Sequence, residues 1–184
     1  MDPITACKEA CSSFQSMLEQ LDDGKLELST PNVDFDVRAL AGHATGGANM
    51  FAGMLGGTAA AEMAEAGSAA EIAAAFKAGA EQLIAAAQGE GALEKMVKMG
   101  PMEIPGAAAV SLMAADHVVH AWDMQKATGI EAPVSDELAE FALKSWQQMI
   151  APQMRDGKQF GAELQAPEGA SFLEQAAAFT GRQV

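Results

Sequence analysis

Residues 114–129 read AADHVVHAWDMQKATG. Alanine, valine and methionine at helical spacing predict a helix from about Ala107 to Ala127, and Gly129 supplies a left-handed stop. Yet this apolar helix holds two of the chain's three histidines, His117 and His120, beside Asp116 and Asp123. On a wheel of about 100° per residue, His120 falls about 40° from Asp116, and Asp123 about 20° to the other side. Ala109, Leu112, Met113 and Val119 share that sector, so the polar groups stand in the middle of the stripe that a bundle helix turns inward. Burying them unpaired is costly. Either a hydrogen-bonded ion-pair network or a metal has to offset that cost. His117 lies about 100° from Asp116 on the same wheel, at the stripe's edge, and reads as a boundary histidine. Trp122 lies off the face and reads as packing between helices.

The rest of the chain reads as helical too. Alanine, methionine, leucine, glutamate and glutamine dominate and there is no tyrosine, a helical composition. A first amphipathic helix is expected from about Thr5 to Leu21, ended by Asp22–Lys25. Asp36 caps a second helix that starts at Val37 and stops at Gly56–Gly57, with Phe35 placed to staple against Leu40. A third runs from about Ala69 to Ala87 with Ile72, Phe76, Ala80, Leu83 and Ile84 buried. The stretch MGPMEIPG (99–106) interrupts the pattern with prolines and glycines. Ser135 caps a fifth helix carrying Phe141, Trp146 and Met149, and the tail from Phe160 offers a short extended piece and a last short helix. No repeat or second core is evident. The expectation is one domain over residues 1–184, all-α, a four-helix bundle with short peripheral helices.

Charge and cysteine usage narrow the functional classes. With 25 acidic against 11 basic residues the formal charge is −14, which disfavours nucleic acid and anionic membrane surfaces as partners. No basic segment leads into an apolar run at the start, and no apolar stretch is long enough to span a bilayer, so the expected address is cytoplasmic. Cys7 and Cys11 stand four apart on the first helix, a poor geometry for a disulfide. They read as reduced core residues, with a metal-binding or redox-sensing thiol pair as the alternative. The twelve methionines are scattered, which suits core filling. A homodimer is a reasonable expectation for a small alanine-rich bundle.

Asp116 and His120, four residues apart on one face, can reach a single ion together. His43, the remaining histidine, completes a candidate set. It lies one turn past Leu40 on the second helix, followed by Gly46 and Gly47, which leave space beside the imidazole. Two imidazoles and a carboxylate leave a coordination position open for water or substrate, as in catalytic zinc sites. The same donors suit Fe(II) or Ni(II). Asp123 is placed to hold a ligand's N–H. A hydrogen-bonded Asp–His core pair without metal accounts for the same spacing.

Three segments together carry a resemblance. TPNVDFDVRALAGHATGGANMFAGMLGG (30–57), MGPMEIPGAAAVSLMAADHVVHAWDMQKATG (99–129) and FTGR (179–182) resemble the motifs of the DinB-like metal-binding superfamily, specifically its mycothiol-dependent maleylpyruvate isomerase type. The resemblance implies a DinB-like four-helix bundle holding one divalent metal, zinc first among candidates, with His43, Asp116 and His120 as ligands. It also implies a low-molecular-weight thiol as cofactor and a small-molecule substrate. In such an S-transferase or isomerase, Asp123 would be the catalytic residue, orienting a ligand or accepting a proton. Lys126 stands where the family pattern has arginine, which loses a bidentate fork. A non-catalytic metal-binding or stress-associated protein is the alternative.

Overall fold

The computed structural model describes residues 1–58, 67–100, 102–155 and 161–184. Its helices begin where the sequence supplies side chains for their unpaired amides. Helix α1 (Pro3–Leu18) starts at Asp2, whose carboxylate accepts from the Ile4 and Thr5 amides at 3.1 Å each, with proline in the first turn, where no amide donor is required. It ends before Leu21, because the Gln20 and Leu21 amides fall back onto the Met17 and Leu18 carbonyls in tight turns. Asp36 accepts from the Ala39 amide at 2.7 Å to open α2 (Val37–Leu55), and Gly56, at φ 96°, closes it. A Ser68–Glu71 capping box opens α3 (Ala69–Ala87). For α2 and α3 the expected bounds hold.

Between α3 and the next helix the chain forms a hairpin rather than a plain interruption. Strands β1 (Met96–Met99) and β2 (Met102–Pro105) pair antiparallel with Val97 opposite Ile104. Gly100 turns the chain at φ 60°; Pro101 lies outside the described residues. The hairpin feeds directly into α4 (Gly106–Thr128), as the Gly106 and Ala107 amides donate to the Lys95 and Leu93 carbonyls at 2.7 and 2.8 Å. A Cβ on Gly106 would overlap the Ala92 carbonyl, so only glycine fits there. Gly129, at φ 74°, ends α4 as expected.

Ser135 caps α5 (Asp136–Met149) and a Ser171–Glu174 capping box opens α6 (Phe172–Phe179). Of the extended piece expected before α6, Phe160 lies outside the described residues, and the Leu164 amide donates to the Ala178 carbonyl at 3.0 Å. Helix α1 packs on α3 and α4, and α2 packs on the same pair, closing a ring of four; α5 and α6 cover the free flank of α4. Phe14, Leu40, Ile72, Phe76, Leu83, Val118 and Met124 are fully buried in this core, each contributing roughly 1.5–3 kcal/mol. Enclosed by α1, α2, α5 and α6, α4 is buried on nearly every side. Among the described residues no helix is long and apolar enough to cross a membrane.

Candidate metal centre

The ring of helices brings α2 and α4 side by side, and His43 of α2 meets Asp116 and His120 of α4. His43 Nε2 lies 3.8 Å from Asp116 Oδ2, and His120 Nε2 lies 3.4 Å from Asp116 Oδ1. One donor atom from each of the three lies within 4.8 Å of the others. The two imidazoles face each other edge to face, with centroids 5.1 Å apart. Asp116 Oδ2 is out of reach of solvent and has no hydrogen-bond partner, a costly state for a carboxylate oxygen that only the imidazole beyond hydrogen-bonding range relieves.

The surroundings fix the orientation of this cluster. His120 donates its Nδ1–H to Asp123 Oδ2 at 3.1 Å, which leaves Nε2 unprotonated toward Asp116 in the neutral tautomer. Asp123, fully buried, is in turn gripped by Arg182, with Nε on Oδ1 at 3.2 Å and Nη2 on Oδ2 at 2.9 Å. The Phe35 ring packs on His43 at 5.1 Å and on His120 at 6.4 Å. This side chain, expected to staple the start of α2, walls the site. Its loop is closed by the Thr30 hydroxyl, which donates to the Asn32 and Phe35 carbonyls at 2.9 and 2.8 Å. On the opposite side the site is open. The His43 side chain is 46% exposed, and a Cβ at Gly46 would meet nothing within 4 Å.

The electrostatics follow from these partners. Burial disfavours the protonated form of His120, but the Asp116 carboxylate and the hydrogen bonds to Asp116 and Asp123 outweigh it and lift the imidazole to about 9. Burial likewise opposes the ionised Asp116, and the surrounding imidazoles, His120 foremost, win and hold its carboxyl far below the usual range. Asp123 is held low against its own burial by His120 and Arg182. His43 is pushed down by burial, with Asp116 opposing. Without an ion, a proton on His120 thus balances the carboxylates.

His117 is no boundary residue. It is fully buried among Phe14, at 6.0 Å between centroids, Phe76, at 5.2 Å, and Cys11, whose Sγ lies 3.7 Å from Nδ1. Its Nε2 faces the Ala44 carbonyl at 3.5 Å. The wheel misplaces it because it assumes one buried face, whereas α4 has packing partners all round. Cys7 and Cys11 are both free and buried in the same core. Trp122 is buried, with the Lys126 ammonium 5.2 Å above its ring. Arg182 is the member of the cluster that residue patterns missed as a partner; the FTGR stretch was visible, but nothing in its spacing points to an aspartate 59 residues earlier.

A ring of helices with an inward histidine–aspartate cluster defines a DinB-like helical protein. The chain belongs to the family of the mycothiol maleylpyruvate isomerase N-terminal domain, whose model matches residues 7–125. Uncharacterized proteins of two strains of Mycobacterium tuberculosis are 29% identical to it over 185 residues, covering all of both chains. The crystal structure of the mycothiol-dependent maleylpyruvate isomerase superposes with a TM-score of 0.62 at 13% identity, over 78% of this chain and 66% of that one. A histidine-to-alanine mutant of that enzyme gives the same score at 12% identity. This chain thus matches just under two thirds of the isomerase's length, and the likeness speaks for the fold.

Proposed function

We propose that this protein binds one divalent ion through His43, Asp116 and His120 and uses it with a low-molecular-weight thiol, of the mycothiol kind, in isomerase or S-transferase chemistry on a small electrophilic substrate. The observation that carries the metal reading is the orphaned Asp116 Oδ2, buried 3.8 Å from His43 Nε2 on a carboxylate whose other oxygen lies 3.4 Å from His120 Nε2. A borderline cation suits this N, N, O set; zinc fits best, and nickel or iron share the donors. Family membership supports the thiol. A bound ion with a free coordination position would stabilise a thiolate and so supply the nucleophile.

The chain's own residues do the rest. His120 presents Nε2 because Asp123 takes its Nδ1–H. Of the two roles expected for Asp123, orientation fits and proton acceptance from substrate does not: the carboxylate is fully buried and both oxygens are engaged. Phe35 keeps water from one side, and the gap beside Gly46 leaves the other open to a ligand. Free buried cysteines and a thiol cofactor suit a cytoplasmic address.

A second reading is a metal-binding protein without catalysis. It draws support from two arginines: Arg38, on the same helix as His43, is turned to the Gly67 carbonyl and Glu27, and Arg182 is spent on Asp123, so neither offers a free fork for a substrate carboxylate. Cobalt(II) substitution separates the two. In the thiol-using enzyme, adding mycothiol to the cobalt protein brings in an intense near-ultraviolet sulfur-to-cobalt band, and maleylpyruvate is turned over only with thiol present. Cobalt bound without such a band favours the second reading, and failure to bind cobalt or zinc contradicts both.

A further inference from the structure

Arg182 lies beyond the 7–125 segment that the family model matches, on the far side of two further helices. Its position is nevertheless tightly built. Helix α6 ends at Thr180, Gly181 takes the left-handed conformation at φ 97°, and the Arg182 amide folds back to the Ala177 carbonyl at 2.9 Å. A Cβ at Gly181 would approach Gly161 Cα to 3.1 Å, tighter than ordinary contact, so the turn also sits close against the incoming chain. Arg155 fastens the same corner, donating to the Phe179 and Gly161 carbonyls at 2.9 and 3.1 Å with its guanidinium 4.5 Å over the Phe179 ring. From this corner the Arg182 fork grips both oxygens of Asp123.

We propose that Arg182 is a positioning residue of the metal centre, which ties the docking of α6 to the tautomer and orientation of His120. The inference rests on the metal reading above. The chain of contacts is short and linear: guanidinium to carboxylate, carboxylate to Nδ1–H, and Nε2 to the place shared by Asp116 and His43. Asp123 has two oxygens and His120 needs only one. A bidentate fork fixes the carboxylate plane, so the oxygen facing His120 cannot swing away. An outer hydrogen bond of this kind sets ligand direction and basicity. Linkage makes the coupling reciprocal: whatever Arg182 does for the ion, the ion does for the docking of α6.

The test compares Arg182→Gln and Arg182→Lys with the full-length parent, using zinc and a chromophoric chelator in competition. Loss of an outer partner of a metal-binding histidine costs roughly 10- to 100-fold in affinity. Arg182→Gln is expected to weaken zinc within that range, and Arg182→Lys, which keeps charge but not the fork, to recover part of it. The readout that a merely structural role would not move is the ring-nitrogen NMR signature of His120 in the zinc-loaded protein, which in Arg182→Gln should shift from a fixed Nδ1–H form to a mixture. A third readout is amide exchange across Ala176–Phe179, which zinc should slow in the parent and not in Arg182→Gln. Leu83→Ala, a core truncation on α3, controls for stability alone and should leave zinc affinity and the His120 signature unchanged. Equal zinc affinity and an unshifted His120 signature in Arg182→Gln overturn the proposal, as does an equal loss in Leu83→Ala. A parent that binds no zinc overturns the metal reading and this inference with it, whereas zinc bound equally by the parent and Arg182→Gln overturns this inference alone.

Discussion

Helix α4 carries two imidazoles three residues apart that share almost nothing else. His117 sits in a dry core between two phenylalanine rings and a thiol, and burial pushes it down to about 4, leaving it neutral. His120 sits between two carboxylates and is lifted to about 9. Same residue type, same helix, opposite charge states: the environment of each face decides what its histidine can do. His117 has a carbonyl, a thiol and the pull of the Asp116 carboxylate, and burial outweighs them. His120 has an oriented Nδ1–H, a carboxylate across the gap and a second imidazole open to solvent on α2. Only the second arrangement has donors converging on one point.

Removing His117 should break the core and spare the site. His117→Ala empties a fully buried ring position and is expected to cost about 3 kcal/mol by chemical denaturation, with zinc stoichiometry in the folded protein unchanged. Were zinc lost while the fold survived, the two faces of α4 would not be separable in the way described. Asp123→Asn sharpens the contrast from the other side. It keeps shape but removes the charge that His120 and Arg182 share, and zinc affinity should fall roughly 10- to 100-fold with the core intact.

The two histidines also predict opposite limbs of a stability profile. The His120 proton stabilises the metal-free fold fully below its ordinary value of 6.5, and that contribution is lost as pH rises through about 9. His117 acts in the other direction. Its depressed value means that stability is lost as pH falls from 6.5 toward about 4, because the unfolded chain takes up a proton that the fold refuses. Metal-free protein should therefore be most stable near 6.5, measured by urea unfolding across pH. Zinc held as proposed would take the place of the His120 proton, so the alkaline limb should flatten in zinc-loaded protein. Smallest of all should be Cys11→Ala, which loses a weak thiol contact and little volume: about 1 kcal/mol, with no effect on zinc.

Much of this contrast could be read from residues, and the part that could not has physical causes. Helix α2 announces both ends, through Asp36 and Gly56, and α3 announces its start through the Ser68–Glu71 box, because capping is local chemistry. The nearness of Asp116 and His120 follows from helical spacing, and that of His43 from its being the one histidine left to face them. The hairpin went unread since its strands are four residues each, with one β-branched residue apiece and no alternation strong enough to signal a sheet. His117 was misplaced because a wheel records one helix, and which faces are covered is settled by its neighbours. The Arg182–Asp123 pair joins residues 59 apart, a distance at which only tertiary structure speaks.

The most direct test is the metal content of protein purified without chelator or histidine tag, taken by elemental mass spectrometry on the parent, His120→Ala and His117→Ala together. The account predicts about one equivalent of divalent ion in the parent and in folded His117→Ala, and none in His120→Ala, since three converging donors are the minimum for an open site. Equal metal in the parent and His120→Ala, or none in the parent after incubation with zinc, would reduce the cluster on α2 and α4 to a protonated ion-pair network and contradict the account.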